Sequence, residues 1–115
     1  MVFRNQQETG SFGRGGQRPV SLRLEFTGRL GPDFTVFALA RAERLGLRGW
    51  IVGRRDRAIV HLEGPEALAG AFEVACCIGP DTVVVDDWSC ADEAPDRQIN
   101  GFHVRDILKN IGDAR

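Results

Sequence analysis

Between Phe26 and Gly53 the hydrophobic period of the chain changes twice, and few folds accommodate that double change. Val20, Leu22, Leu24 and Phe26 alternate with Ser21, Arg23, Glu25 and Thr27, which is the period of a strand with one buried face. Gly28 to Asp33 reads as a turn, with Asp33 as the N-cap of a helix. Phe34, Phe37, Ala38, Arg41 and Leu45 then recur at helical spacing. Gly46 is the residue for a left-handed helix stop. Arg48–Val52 predicts a second strand, Gly53–Asp56 a hairpin turn and Arg57–Glu63 a third strand. Gly64-Pro65-Glu66 opens a second helix, with Pro65 in the first turn where its missing N–H costs little. Gly79-Pro80 ends that helix after Ile78. Thr82–Cys90 reads as a fourth strand, 91–100 as a polar loop, and Gly101–Arg105 as a short last strand with Phe102 and Val104 facing in. The order β-α-β-β-α-β predicts an α+β, ferredoxin-like sandwich. Both helices cover one face of an antiparallel sheet, and a short extra C-terminal strand is added.

At 115 residues the chain has the length of one domain. Residues 1–17 are rich in Gly and polar residues without period and read as a flexible tail. The domain is expected over 18–106, with a second tail at 107–115. No apolar run approaches the roughly 18–20 residues of a membrane span, and the first residues carry no apolar leader. A net charge of −1 gives no bulk pull toward nucleic acid or an anionic membrane. Three cysteines, with Cys76 and Cys77 adjacent, do not form a secreted disulfide framework. The expectation is a cytoplasmic protein.

Several pieces of the chain fall in a family's order and spacing. They are Gly28-Arg29-Leu30, the helix Phe34–Arg44, and Leu45-Gly46-Leu47-Arg48-Gly49-Trp50-Ile51-Val52. Glu63-Gly64-Pro65-Glu66-Ala67-Leu68, Val85-Asp86-Asp87 and Gly101-Phe102-His103-Val104-Arg105 come after them. Over Val20 to Arg105, about three quarters of the chain, this resembles an acylphosphatase domain. The Leu-Gly-Leu-x-Gly-Trp piece is the most specific. The resemblance implies hydrolysis of acyl phosphates without metal or cofactor. It implies a turn after the first strand that offers backbone N–H groups to phosphate. It also implies an arginine just after the helix phenylalanine as phosphate clamp, and an asparagine ending the second strand to orient water.

The residues in those places differ. Thr35 stands at the arginine position and Gly53 at the asparagine position. The turn Gly28, Arg29, Leu30, Gly31, Pro32, Asp33, Phe34 is one residue shorter than the family pattern. Pro32 removes a donor. Asp33 puts a carboxylate where phosphate would sit and repels a dianion; two unit charges about 4 Å apart already interact by roughly 4 kcal/mol at an effective dielectric of 20. The expectation is an acylphosphatase-like protein without catalysis, acting as a small binding or regulatory module. One alternative is an acylphosphatase with a rebuilt site that uses Arg29 or Arg54. Another is an interaction domain for an anionic partner, using the arginines of 41–57.

That segment holds Arg41, Arg44, Arg48, Arg54, Arg55 and Arg57 against Glu43 and Asp56. Arg54, Arg55 and Arg57 are the candidate anion contacts. The partner would be a phosphate-bearing small molecule or an acidic protein surface. Asp81, Asp86, Asp87, Asp92, Glu93 and Asp96 form an acidic stretch with no basic residue. Pairing of the two zones between copies would give a weak, salt-sensitive dimer. Cys76, Cys77, Cys90, His61 and His103 lack any C-x-x-C spacing, so no metal and no cofactor are expected. Nucleic acid is disfavoured too, because the aromatic stacking pair of RNA-recognition modules is absent from the central strands.

Overall fold

The computed structural model describes residues 15–105. Its elements are β1 (Pro19–Arg29), α1 (Gly31–Arg44), β2 (Arg48–Gly53), β3 (Arg57–Pro65), α2 (Glu66–Ile78), β4 (Val84–Asp92) and β5 (Phe102–Val104). The five strands lie in the order β4-β1-β3-β2-β5. β5 joins β2 in parallel while every other pairing is antiparallel, so the sheet is mixed rather than purely antiparallel. The expected tails lie outside the described residues, apart from a 3-10 turn at Gly15–Gln17. Among the described residues no helix is long and apolar enough to cross a membrane.

Leu22, Leu24 and Phe26 of β1 point to the helices, as do Val60 and Leu62 of β3 and Ile51 of β2. They meet Phe34, Ala38 and Ala42 of α1 and Ala69, Phe72 and Cys76 of α2. Phe26 and Phe34 pack with ring centroids 5.1 Å apart. Side chains of this kind stabilise by about 1.5–3 kcal/mol each on full burial. Gly46 ends α1 at φ 70°, with its N–H on Glu43 and the Leu47 N–H on Ala42. Those two bonds make a Schellman stop. Three local readings shift. Pro65 caps α2 rather than entering it, and β4 starts two residues later than expected. Val104 is 50% exposed, because β5 is an edge strand whose end lies beyond the core; only Phe102 turns in.

β4 and β5 are opposite edges, so the connection between them must cross the sheet. The helices cover one face, and the connection takes the other. Cross-strand partners place Ser21, Glu63 and Arg48 in one row of that open face and Arg23, His61 and Trp50 in the next. Glu25, Ile59 and Val52 form the row after it. The crossing segment is tied to the first two rows. Glu93 bonds His61 Nδ1 at 2.7 Å, and the Asp96 N–H donates to Glu63 at 2.6 Å. Glu63 also meets His61 Nε2 at 2.6 Å and Arg48 at 2.8 Å. His61 and Glu63 are buried. A buried carboxylate is tolerable only with its lone pairs filled, and these contacts fill them.

Burial alone pushes the His61 pKa down, but the hydrogen bonds and charges of Glu93 and Glu63 win and raise it above 6.5. Burial pushes Glu63 up, and the Asp96 N–H, His61 and Arg48 outweigh it, holding Glu63 below 4.5. A raised histidine stabilises fully below its unfolded pKa and loses that contribution as pH rises through the folded value. A depressed glutamate stabilises above its unfolded pKa and loses it as pH falls through the folded value. Thermal stability is therefore expected to peak between these ordinary values and to fall on both sides. In His61→Gln the decline on the alkaline side should vanish, as read by melting temperature against pH.

Candidate functional site

The turn from β1 into α1 aims its N–H groups inward. Gly28 sits at φ 150°, where a Cβ would lie 2.0 Å from the Val84 carbonyl oxygen, and the β1–β4 register shifts at this point. The chain then bends under the β2–β3 hairpin. The Leu30 and Gly31 N–H groups both donate to the Arg55 carbonyl, at 2.8 and 3.0 Å, and the Gly28 N–H donates to Asp56 at 3.2 Å. An α-helix begins with four N–H groups that have no partner within it. In α1 these belong to Leu30, Gly31, Pro32 and Asp33. Arg55 takes two of them, and Pro32 has none to give. An anion cradle needs several such donors converging on one point.

Asp33 corrects two expectations. The N-cap is Leu30, without a side-chain cap bond, so Asp33 is the third helical residue. Its carboxylate accepts the Thr82 hydroxyl at 2.6 Å and does not line the cleft beside the turn. The short turn moves the helix start forward, and Asp33 faces the loop before β4. Leu30 and Phe34 are core residues, and Arg29 is an exposed end of β1 opposite Val84.

The cleft itself holds about 380 Å³ between the first turn of α1 and the end of β2. Gly31, Pro32, Thr35 and Val36 form one wall, and Gly53, Arg54 and Arg55 the other. A Cβ built on Gly53 would stand 2.0 Å from Thr35 Oγ1 and 3.4 Å from Thr35 Cβ. The Thr35 side chain thus fills the space that a side chain at 53 would need. The two departures noted in the sequence are one contact. Val36, 66% exposed, adds an apolar rim that sequence reasoning passed over. The available signal was a β-branched residue off the helical stripe of Phe34, Phe37 and Ala38.

The arginines of 41–57 do not form one cluster; among the described residues those of the hairpin, Arg54, Arg55 and Arg57, are neighbours and the others are dispersed. Arg41 stacks on Phe37 at 5.3 Å, Arg48 pairs with Glu63 at the far end of β2, and Arg57 pairs with Glu25 at 2.9 Å. Arg54 and Arg55 reach the cleft, are exposed, and make no ion pair among the described residues. Alternation along β2 and β3 separates residues that are close in sequence. Among the described residues no group of His, Cys, Asp and Glu could hold a metal. Burial, then the neighbouring Cys77, pushes the Cys76 thiol far up; burial and Glu73 push Cys77 to about 11. Neither is a thiolate at neutral pH, so neither is a nucleophile.

No family model matches the chain. The acylphosphatase of Nocardioides sp. is 31% identical over 98 residues, which span 84% of this chain and 98% of that one. The acylphosphatase of Salinibacter ruber is 38% identical over 98 residues, 79% of this chain and 96% of its own length. The crystal structure of acylphosphatase from Bacillus subtilis superposes with a TM-score of 0.69 at 25% identity, over 75% of this chain and 98% of that one.

The contact across the cleft is testable by a double-mutant cycle. Gly53→Ala is expected to destabilise by about 1 kcal/mol, since Thr35 must turn to another rotamer or shift. In a Thr35→Ala background the same substitution should cost nothing measurable. Urea denaturation of the four proteins reads the coupling.

Proposed function

The chain belongs to the acylphosphatase family, and we propose that it is a binding or regulatory member that has given up hydrolysis. The observation that carries this reading is the double occupation of the Arg55 carbonyl. It takes the Leu30 and Gly31 N–H groups, which lie in the turn that the family resemblance assigns to phosphate. Two further points support it. The clamp position holds Thr35, whose hydroxyl carries no charge, and Gly53 offers no side chain to orient a water. Losing one donor of this kind costs about 10²–10³ in rate, and here clamp, cradle and water-orienting group are all altered. Arg54 and Arg55 give the cleft a cationic rim beside the apolar Pro32 and Val36. Its ligand is then a small anion, phosphate or carboxylate, with an apolar neighbour group. The unpaired thiols of Cys76 and Cys77 fit a reducing compartment, so we place the protein in the cytoplasm.

One observation favours a second reading, an acylphosphatase with a rebuilt site. Arg54 and Arg55 stand at the cleft without an ionic partner among the described residues, as a substitute clamp would.

Hydrolysis of acetyl phosphate separates the two. The binding reading expects the rate of buffer alone from the native protein. Turnover at least 100-fold above buffer, lost in Arg54→Gln or Arg29→Gln, would overturn it and establish the rebuilt enzyme.

A further inference from the structure

We propose that the open face of the sheet carries a second site, beside the turn cleft and sharing only Arg54 with it, that takes a single-ring aromatic anion. The starting point is Val52. It is only 4% exposed, yet it lies outside the helix-side core cluster. Its cross-strand partner Ile59 is half-buried on the same face and also outside that cluster. The two neighbouring side chains form an apolar floor on the open face.

Above this floor is a hollow of about 200 Å³. Trp50 walls one end, Arg54 and Arg57 the other, and Arg23 the side. The Arg54 N–H donates to the Arg57 carbonyl at 2.8 Å, so the two side chains leave from one rung of the hairpin. Glu25 takes Arg57 at 2.9 Å and Arg23 at 3.0 Å, which fixes both guanidinium groups. Glu93 touches Arg23 at 3.9 Å, and Arg54 meets no carboxylate among the described residues. The Trp50 indole is held by His61, 5.8 Å away and 18° from parallel, and by Arg105 at 4.7 Å.

This arrangement specifies a ligand class. An apolar cavity of about 150 Å³ holds benzene, so about 200 Å³ takes one ring and the start of a head group. Val52, Ile59 and the indole supply apolar contact for the ring. The guanidinium forks match the oxygens of a carboxylate or phosphate. Arg23, Arg54 and Arg57 outnumber the neighbouring Glu25 and Glu93, and this net positive charge around one small apolar floor favours an anion over a neutral ring of the same size.

The test uses the full chain with Trp88→Phe, which leaves Trp50 as the one indole of the two in the sequence. Phenyl phosphate is titrated while Trp50 emission is monitored. The expected result is a saturable change. Inorganic phosphate and benzyl alcohol should each bind at least about tenfold more weakly, and Arg57→Gln should weaken phenyl phosphate by about tenfold. Thr35→Ala, in the turn cleft, should leave the titration unchanged. Ile59→Glu provides a second variant, placing a carboxylate on the floor of the hollow, and should abolish binding in a protein whose circular dichroism is native. Three outcomes would each overturn the site. They are no saturable change, equal binding of inorganic phosphate, and binding lost in Thr35→Ala but kept in Arg57→Gln and Ile59→Glu.

Discussion

The carbonyl oxygen of Arg55 joins the two halves of this molecule that matter for chemistry. It accepts the Leu30 and Gly31 N–H groups and so fastens the β2–β3 hairpin to the start of α1. With the hairpin fastened there, Gly53 lies against Thr35 and the arginines of the hairpin reach the cleft rim. The same two bonds satisfy the helix start from within. A helix start satisfied by protein has less to offer a ligand, because each N–H can serve one strong acceptor at a time. Local stability and anion affinity therefore compete for the same donors.

The periodic parts of the fold were legible because each has one buried face. β1 alternates cleanly, α1 carries a stripe at helical spacing, and Gly46 stops it as read. What escaped the sequence depends on partners distant along the chain. Asp33 looks like a cap by type and position, but Leu30 begins the helix and Thr82, 49 residues away, takes the carboxylate. Val104 alternates correctly with Phe102, but the edge of the sheet runs past the core at that point. The turn was legible as altered, since Pro32, Thr35 and Gly53 can be counted by position. That Thr35 and Gly53 touch was not legible, because no local pattern ties the first turn of a helix to the end of the next strand.

Charge obeyed the same rule. Six arginines within 17 residues read as one basic zone, and the sheet distributes them between a helix, two ends of the open face and the hairpin. The acidic stretch was divided likewise. Glu93 and the Asp96 backbone turn inward to His61 and Glu63, while Asp86 and Asp87 stay on the exposed edge strand. Arg23, absent from any charge run, ends beside Arg54 and Arg57. Linear density of charge is thus a poor guide to the field at a surface built from alternating strands.

The packing of Thr35 against Gly53 also orders the route by which such a site could change. A residue with a side chain at 53 finds its space taken for as long as Thr35 is in place. A residue at 35 that vacates that space meets no such obstacle from a glycine. Changes at the two positions therefore meet less resistance with 35 first than with 53 first. The contact couples the two positions in the mutational history of the cleft, since a side chain at 53 costs about 1 kcal/mol more while Thr35 is in place.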